Sequence, residues 1–169
     1  MVNRKRLLIL LACAAGIFAA WKLAAPSDER RIRRLFDRAA ELLAKKGAEP
    51  VFTAAGKARE LAGLVAPEAR FDIPECGVGM AAGGSALARQ IALVRAQAQF
   101  IQIAFEELRV DFTAEDAAIA TADVLFKGTS DLLGLSGRDA RELTATLKRD
   151  GDSGEWRFTG VRLRPVIEK

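Results

Sequence analysis

The chain has 169 residues, with 26 Lys+Arg against 22 Asp+Glu and no His or Tyr. The lack of His excludes Ser-His-Asp and Cys-His catalysis, His-ligated zinc and the usual general base near neutral pH. Only two Cys, Cys13 and Cys76, are present, which excludes a Cys-rich metal site; no metal and no cofactor is expected.

Residues 1–6 (MVNRKR) form a basic head, and residues 7–25 are apolar except for Lys22. As a helix those residues would extend about 28 Å, close to the about 30 Å of a bilayer hydrocarbon core. The favoured expectation is an uncleaved single-pass anchor in a bacterial inner membrane, with Lys22 snorkelling and Trp21 in the interfacial belt. Two alternatives stay open: a signal cleaved after Ala25, releasing the chain to the periplasm, and a lipoprotein box ending at Cys13. Arg4, Lys5 and Arg6 favour a cytoplasmic N-terminus and a periplasmic domain, although Lys22, Arg30, Arg31, Arg33 and Arg34 pull the other way. Four of the 26 bases and none of the 22 acids precede Asp28, so the rest of the chain balances 22 against 22. A neutral domain without basic runs interleaved with aromatics gives no footprint for nucleic acid, and none is expected as a partner.

One domain is expected over residues 28–166. Ser27 offers an N-cap, Asp28 and Glu29 suit the first turn, and Lys45-Lys46-Gly47 closes the helix. Ile32, Leu35, Phe36, Ala39, Leu42 and Leu43 recur at helical spacing between these signals. The arginine side of this helix (Arg30, Arg31, Arg33, Arg34, Arg38) reads as a solvated face with local ion pairs, or as a surface for anionic lipid. A second helix is expected over 54–65, stopped before Pro67, and a short strand at Phe71-Asp72-Ile73. Cys76, the domain's lone thiol, reads as buried and inert, with an intermolecular disulfide or a reactive thiol as alternatives. The segment GVGMAAGGS (77–85) has no Lys and no GKS or GKT ending, so it reads as a flexible connection rather than a phosphate loop. Ser85 caps a third helix carrying Leu87, Ile91, Val94 and Ala98.

After Gln99 the period changes to two. Ile101, Ile103 and Phe105 point one way, and the phase slips at Glu106-Glu107 before Leu108, Val110 and Phe112 take over. Such a slip would turn half the apolar set outward unless the strand bulges there. A strand over 117–127 turns Ala120, Ala122, Val124 and Phe126 inward. TSDLLGLSGRD reads as a loop with Leu132, Leu133 and Leu135 exposed, and Leu143, Ala145 and Leu147 line a strand over 142–149. Residues 150–154 form a hairpin turn before a last strand over 155–166, with Trp156 and Phe158 inward and a slip near Gly160.

Three helices, a short strand and long bent antiparallel strands make an α+β pattern that resembles the nuclear transport factor 2-like (cystatin-like, SnoaL-like) superfamily. The resemblance rests on element order, the bulge at Glu106-Glu107 and the late GEWRFTGVRL strand. It implies a strongly curved sheet wrapped around helices and a pocket. The superfamily includes ketosteroid isomerases, polyketide cyclases, scytalone dehydratase and non-enzymatic scaffold domains. It also includes the periplasmic domain of the single-pass bridging component of type IV secretion systems, whose layout of basic head, membrane helix and outer domain this shorter chain resembles.

The expected pocket lining is Phe71, Ile101, Ile103, Phe105, Val124, Phe126, Trp156 and Phe158, apolar throughout. No catalytic residue is assigned; Glu106 and Glu107 are weak candidates because a bulge can turn either inward. The main expectation is a membrane-tethered, non-enzymatic binding or scaffold domain in the periplasm. It would engage an apolar ligand, a protein partner or a second copy through the sheet face carrying Thr144, Thr146 and Arg162. The alternatives are an isomerase- or cyclase-type enzyme using a Glu at a hydrophobic pocket, and an assembly subunit of a secretion or envelope complex.

Overall fold

The computed structural model describes residues 27–73, 78–81, 84–130 and 135–165. The chain divides into two compact units between Arg31 and Ile32. Of the first, residues 27–31 are described: the Ser27 hydroxyl accepts the backbone N–H of Arg30 at 3.4 Å, an N-cap on helix α1 (Asp28–Leu43).

The second unit holds the rest of α1 and the α+β body. Along α1, Ile32, Leu35, Phe36, Ala39 and Leu42 form one buried stripe. Two residues later the chain is already extended: β1 (Lys45–Lys46) pairs with Ile101 and Phe100, and Gly47 makes the following bend at φ 110°. Helix α2 (Val51–Gly63) starts behind Pro50, whose carbonyl accepts the Ala54 N–H, three residues before the expected start at 54. It leads into β2 (Val65–Ile73), a strand longer than the Phe71–Ile73 piece read from alternation. Pro67 lies within it, and the ladder to its neighbour is interrupted between Val65 and Arg70, where Pro has no N–H to offer.

The glycine-rich segment differs from its expected role. Val78–Ala81 is a strand, β3, pairing residue for residue with Arg70–Ile73 through backbone groups alone. Main-chain pairing needs no side-chain alternation, so the composition hid it. Helix α3 (Gly84–Gln97) follows, and then four long strands in hairpin succession: β4 (Phe100–Ala114), β5 (Ala117–Ser130), β6 (Leu135–Arg149) and β7 (Trp156–Pro165). The β5–β6 hairpin takes in most of the segment read as a loop, pairing Ser130 with Leu135. Leu132 and Leu133 lie outside the described residues, as does Cys76.

The seven strands form one curved sheet in the order β1-β4-β5-β6-β7-β2-β3. All pairs are antiparallel except β2–β7, which is parallel. The inner faces of β5 and β6 (Ala118, Ala120, Val124, Leu143, Ala145, Leu147) pack on the α1 stripe with Trp156 and Phe158 of β7. Both phase slips seen in the sequence are breaks in register: one between Glu106 and Arg109, the other at Thr146–Leu147, where Thr159 is the extra residue on β7. Bulges of this kind bend and twist the strands that carry them.

Two helix ends are joined by reciprocal caps. The Arg95 guanidinium, from α3, is 1% exposed and donates to the carbonyls of Leu42 at 2.6 Å, Leu43 at 2.9 Å and Ala44 at 3.1 Å, closing α1. Lys45, just past α1, donates from Nζ to the carbonyls of Arg95 and Ala98 at 2.6 Å each, closing α3. Glu49 accepts from Arg95 at 2.6 Å and pairs with Lys57 of α2 at 2.9 Å. Terminal carbonyls without an intrahelical partner are thereby satisfied by charge-assisted donors.

The membrane expectation is corrected here. Among the described residues no helix is long and apolar enough to cross a membrane. Residues 7–25, on which the single-pass inner-membrane topology, the signal alternatives and the membrane partner all rested, lie outside the described residues. The fold class is therefore α+β, three helices on a strongly curved sheet, without a transmembrane element among the described residues.

Candidate active site

The site is built around the bulge in β4. Ladder pairing runs unbroken from Ile101–Gly128 to Glu106–Asp123 and resumes at Arg109–Thr121. Glu107 and Leu108 therefore face a single residue, Ala122, on β5. The extra residue sets Glu107 at φ 51°, and it is the one non-glycine with positive φ among the described residues. Glycine is the usual occupant of such a bulge position, because a Cβ there crowds the following carbonyl at a cost of about 1–2 kcal/mol.

Across from the bulge, α1 presents Arg33, Phe36 and Asp37. These are related by i, i+3 and i+4 and share one helix face. Together with Phe105, Glu107 and Leu108 they line an open cleft of about 460 Å³. Its apolar residues are Phe36, Phe105 and Leu108, of which Phe36 is almost wholly buried. The Phe36 ring stands edge-on to Phe105 and to Phe158, with centroids 5.1 Å apart in both pairs. Such edge-to-face pairs add about 0.5–1.5 kcal/mol each beyond the area they bury.

The rim carries two carboxylates, Asp37 and Glu107, and one guanidinium, Arg33. Arg109 stands 3.5 Å from the Glu107 carboxylate, and the Glu107 side chain is 71% exposed. A bound molecule would therefore cover Glu107 and strengthen its electrostatics by displacing water. A carboxylate can take a proton, a second can hold or return one, and a guanidinium stays charged and donates to an oxygen that gains negative charge. Among the described residues no group of three or more acids or thiols gathers around a point where a metal ion could be held.

The residues expected to line a pocket are distributed over three places. Phe105 lines the cleft. Val124, Trp156 and Phe158 are buried in the main core, with Phe71 and Ile103 partly buried against it. Ile101 and Phe126 form a second cluster with Ala98. Of the two glutamates, Glu106 is exposed opposite Asp123, while Glu107 reaches the cleft. Thr144, Thr146 and Arg162, expected as a docking face, do lie on one outer face of the sheet; Arg162 is engaged there by Asp72 at 2.9 Å.

Arg33 and Asp37 were not singled out for the site from sequence. Arg33 belongs to the arginine side of α1, which reads as a solvated face or a surface for anionic lipid, and Asp37 stands beside the buried stripe with no role expected of it. The available signal was the i, i+3, i+4 relation to Phe36, whose bulk marks the stripe that meets the sheet. That signal becomes specific only once the sheet's curvature is known.

No family model matches the chain, and no curated protein does. Solved structures do. An NTF2-like protein with a cystatin-like fold from Novosphingobium aromaticivorans is similar at 19% identity, with a TM-score of 0.61 over 89% of this chain and 90% of that one. The hexachlorocyclohexane dehydrochlorinase LinA-type3 from Novosphingobium barchaimii is similar at 19% identity, TM-score 0.62, over 82% of this chain and 86% of that one. A protein assigned as a scytalone dehydratase from N. aromaticivorans is similar at 16% identity, TM-score 0.62, over 84% and 95%. At such identities the likeness establishes the fold, which is the nuclear transport factor 2-like, cystatin-like fold. The expectation of a membrane-held, non-enzymatic scaffold in the periplasm is overturned: no membrane-crossing helix exists among the described residues, and the named fold neighbours include enzymes.

Proposed function

We propose that the chain is a small-molecule enzyme of the proton-transfer type, acting on a largely apolar compound bound in the cleft between α1 and the β4 bulge. The observation that carries this reading is Glu107, a carboxylate set on a left-handed backbone at a cleft that it lines with Arg33, Asp37 and the apolar Phe36, Phe105 and Leu108. Strained backbone at a bulge is costly, and such residues cluster at sites where the strain has a use. The cleft volume, about 460 Å³, lies within the about 300–1,000 Å³ typical of small-molecule sites.

In this reading Phe105 and Leu108, backed by the buried Phe36, hold the apolar part of the substrate, and Glu107 removes a proton from carbon as general base. The electron pair left on carbon either moves onto an adjoining carbonyl oxygen or expels a leaving group from the next carbon. The proton returns to another carbon in an isomerisation, or leaves with the expelled group in an elimination. Two of the fold neighbours are named for eliminations, of hydrogen chloride and of water, and this chemical kinship lends support to the class. Without His or Tyr in the chain, a carboxylate is the base on offer.

The test is a panel of cyclic ketones, β-hydroxy ketones and chlorinated cyclohexanes, incubated with the protein in D₂O. Proton NMR follows exchange at carbon, and loss of water or chloride is followed in parallel. Turnover by wild type and a loss of about 10²–10⁴-fold in Glu107→Gln are expected. A silent panel, or turnover unchanged in Glu107→Gln, would refute the reading.

A further inference from the structure

The outer edge of β4 is open over most of its length. The strand has 15 residues, yet on the side away from β5 its one neighbour among the described residues is the two-residue β1, paired with Phe100 and Ile101. From Gln102 to Ala114 no described strand takes up the main-chain groups on that side. Free N–H and C=O groups along an edge are a template for another strand. This surface stands apart from the proton-transfer reading and does not depend on Glu107 being a base.

The side chains along the open stretch favour one occupant. Leu108, Val110 and Phe112 belong to the inner face, where Val110 pairs with the buried Ala120 and Phe112 with the buried Ala118. The Phe112 ring lies 5.9 Å from that of Trp156 but stays 48% exposed. Arg109 and Asp111 alternate onto the outer face, and both are exposed. An antiparallel copy related by a two-fold axis through Val110 would set Arg109 opposite the partner's Asp111, and Asp111 opposite the partner's Arg109. The same axis would set Leu108 against the partner's Phe112 and join two apolar rows into one. Opposite charges, and aromatic beside aliphatic side chains, are favourable directly across a ladder.

Other registers lack this match. Centred on Arg109 or on Asp111, the pairing would press that charge against its own copy, and like charges directly opposite are destabilising. Centred on Leu108 or Phe112, it would run into the breaks in register at Glu107 and Thr113. Irregularities of this kind usually blunt a sheet edge, and here they confine pairing to the stretch 108–112. A two-fold contact occupies the same stretch on both copies, so association closes at a dimer.

We propose that the chain pairs with a second copy of itself, β4 edge to β4 edge and antiparallel about Val110, with the Arg109–Asp111 pairs fixing the register.

Sedimentation equilibrium on the full chain, from about 1 µM to 1 mM, compares wild type with Arg109→Asp, Asp111→Arg and the swapped double variant, with circular dichroism melts to verify folding. Each single reversal places two like-charged pairs across the seam and should raise the dimer Kd by about 10–100-fold, while the double variant recovers. Mixing the two single variants should also restore dimers, because one chain then carries both acids and the other both bases. Amides of residues 108–112 should gain protection from hydrogen exchange as concentration rises. A wild type that stays monomeric throughout overturns the proposal. So does a dimer that neither reversal weakens, or one whose protection falls elsewhere, such as the face carrying Thr144 and Thr146. Should a single variant fail to fold, the double variant and the exchange pattern of wild type still decide the matter.

Discussion

Arg95 and Lys45 close each other's helices. Arg95, within the last turn of α3, donates to the three carbonyls that end α1, and Lys45, just past α1, donates to the two that end α3. Because α1 carries Arg33, Phe36 and Asp37, this crossed arrangement anchors the helix that forms one wall of the cleft.

Replacing Arg95 by Met should therefore destabilise the protein by about 3–5 kcal/mol, since it leaves Glu49 short of one partner and three carbonyls without donors. Arg95→Lys should recover only part, because one ammonium cannot reach four acceptors in a fork. Removing both partners in Arg95→Met with Glu49→Leu should cost less than the two single changes added together. Urea unfolding monitored by circular dichroism reads all three; strict additivity would show that the pair is not coupled.

Glu49 also sets an acid limit. Burial pushes its carboxyl up, but hydrogen bonds from Lys57 and Arg95, with their charges, outweigh that and hold it below the usual glutamate range. A group with a depressed folded pKa stabilises above its unfolded value, about 4.3, and that contribution is lost as pH falls through the folded value. Stability should thus be flat with respect to this group from pH 7 to about 5 and fall below about 4. Glu49→Gln should be less stable at pH 7 and lose less on acidification. The check is the unfolding midpoint measured across that range, and equal acid slopes in both proteins would count against it.

Position 107 should set stability against activity. Glu107→Gly removes the crowding of a Cβ at φ 51° and should raise stability by about 1 kcal/mol, while abolishing proton transfer. Thermal unfolding and the exchange assay, run on the same preparation, decide this. A destabilised Glu107→Gly would mean that the bulge depends on contacts of the glutamate side chain.

How much of this could be read beforehand follows from which interactions leave a periodic trace. The α1 stripe, the alternation in β4 to β7 and the slips at Glu106-Glu107 and near Gly160 are regular in one dimension, and each corresponds to an observed feature. β3 and the ends of the β5–β6 hairpin are held by main-chain pairing through Gly- and Ser-containing segments, where side chains carry no alternation. Arg95 sits amid ordinary helix residues 46 or more positions from the groups it binds, so its burial is legible only after folding. Asp37 and Arg33 were hidden for the same reason. Both are exposed in the structure too, and only the curvature of the sheet, which brings the β4 bulge opposite them, distinguishes them from the rest of the solvated face. The apolar N-terminal residues point toward a membrane, whereas the residues of the candidate site lie in the body that follows.

A close approach inside the sheet offers a test of its curvature. A Cβ at Gly128 would lie 2.3 Å from the Phe100 carbonyl oxygen and 3.3 Å from the Ile101 Cα. Gly128→Ala must push β4 away from β5 at the end where β1 pairs, and should cost about 1–3 kcal/mol. A melting temperature equal to that of wild type would show that the strands part there without cost.

The parallel seam between β2 and β7 has a consequence for the order of folding. Strands β4 to β7 join through successive hairpins, so their pairing closes short loops, whereas Asp72 and Arg162 meet across 90 positions of chain. On a ribosome, α1, α2 and β2 emerge long before the strand that receives β2 has been made. The buried stripe of α1 and the cleft wall it bears must wait, unsheltered, for the last 10-residue strand. Pulse-labelled hydrogen exchange during refolding should show β4–β6 amides protected ahead of those in β2, and chains halted before Trp156 should remain sensitive to proteases in α1 and α2.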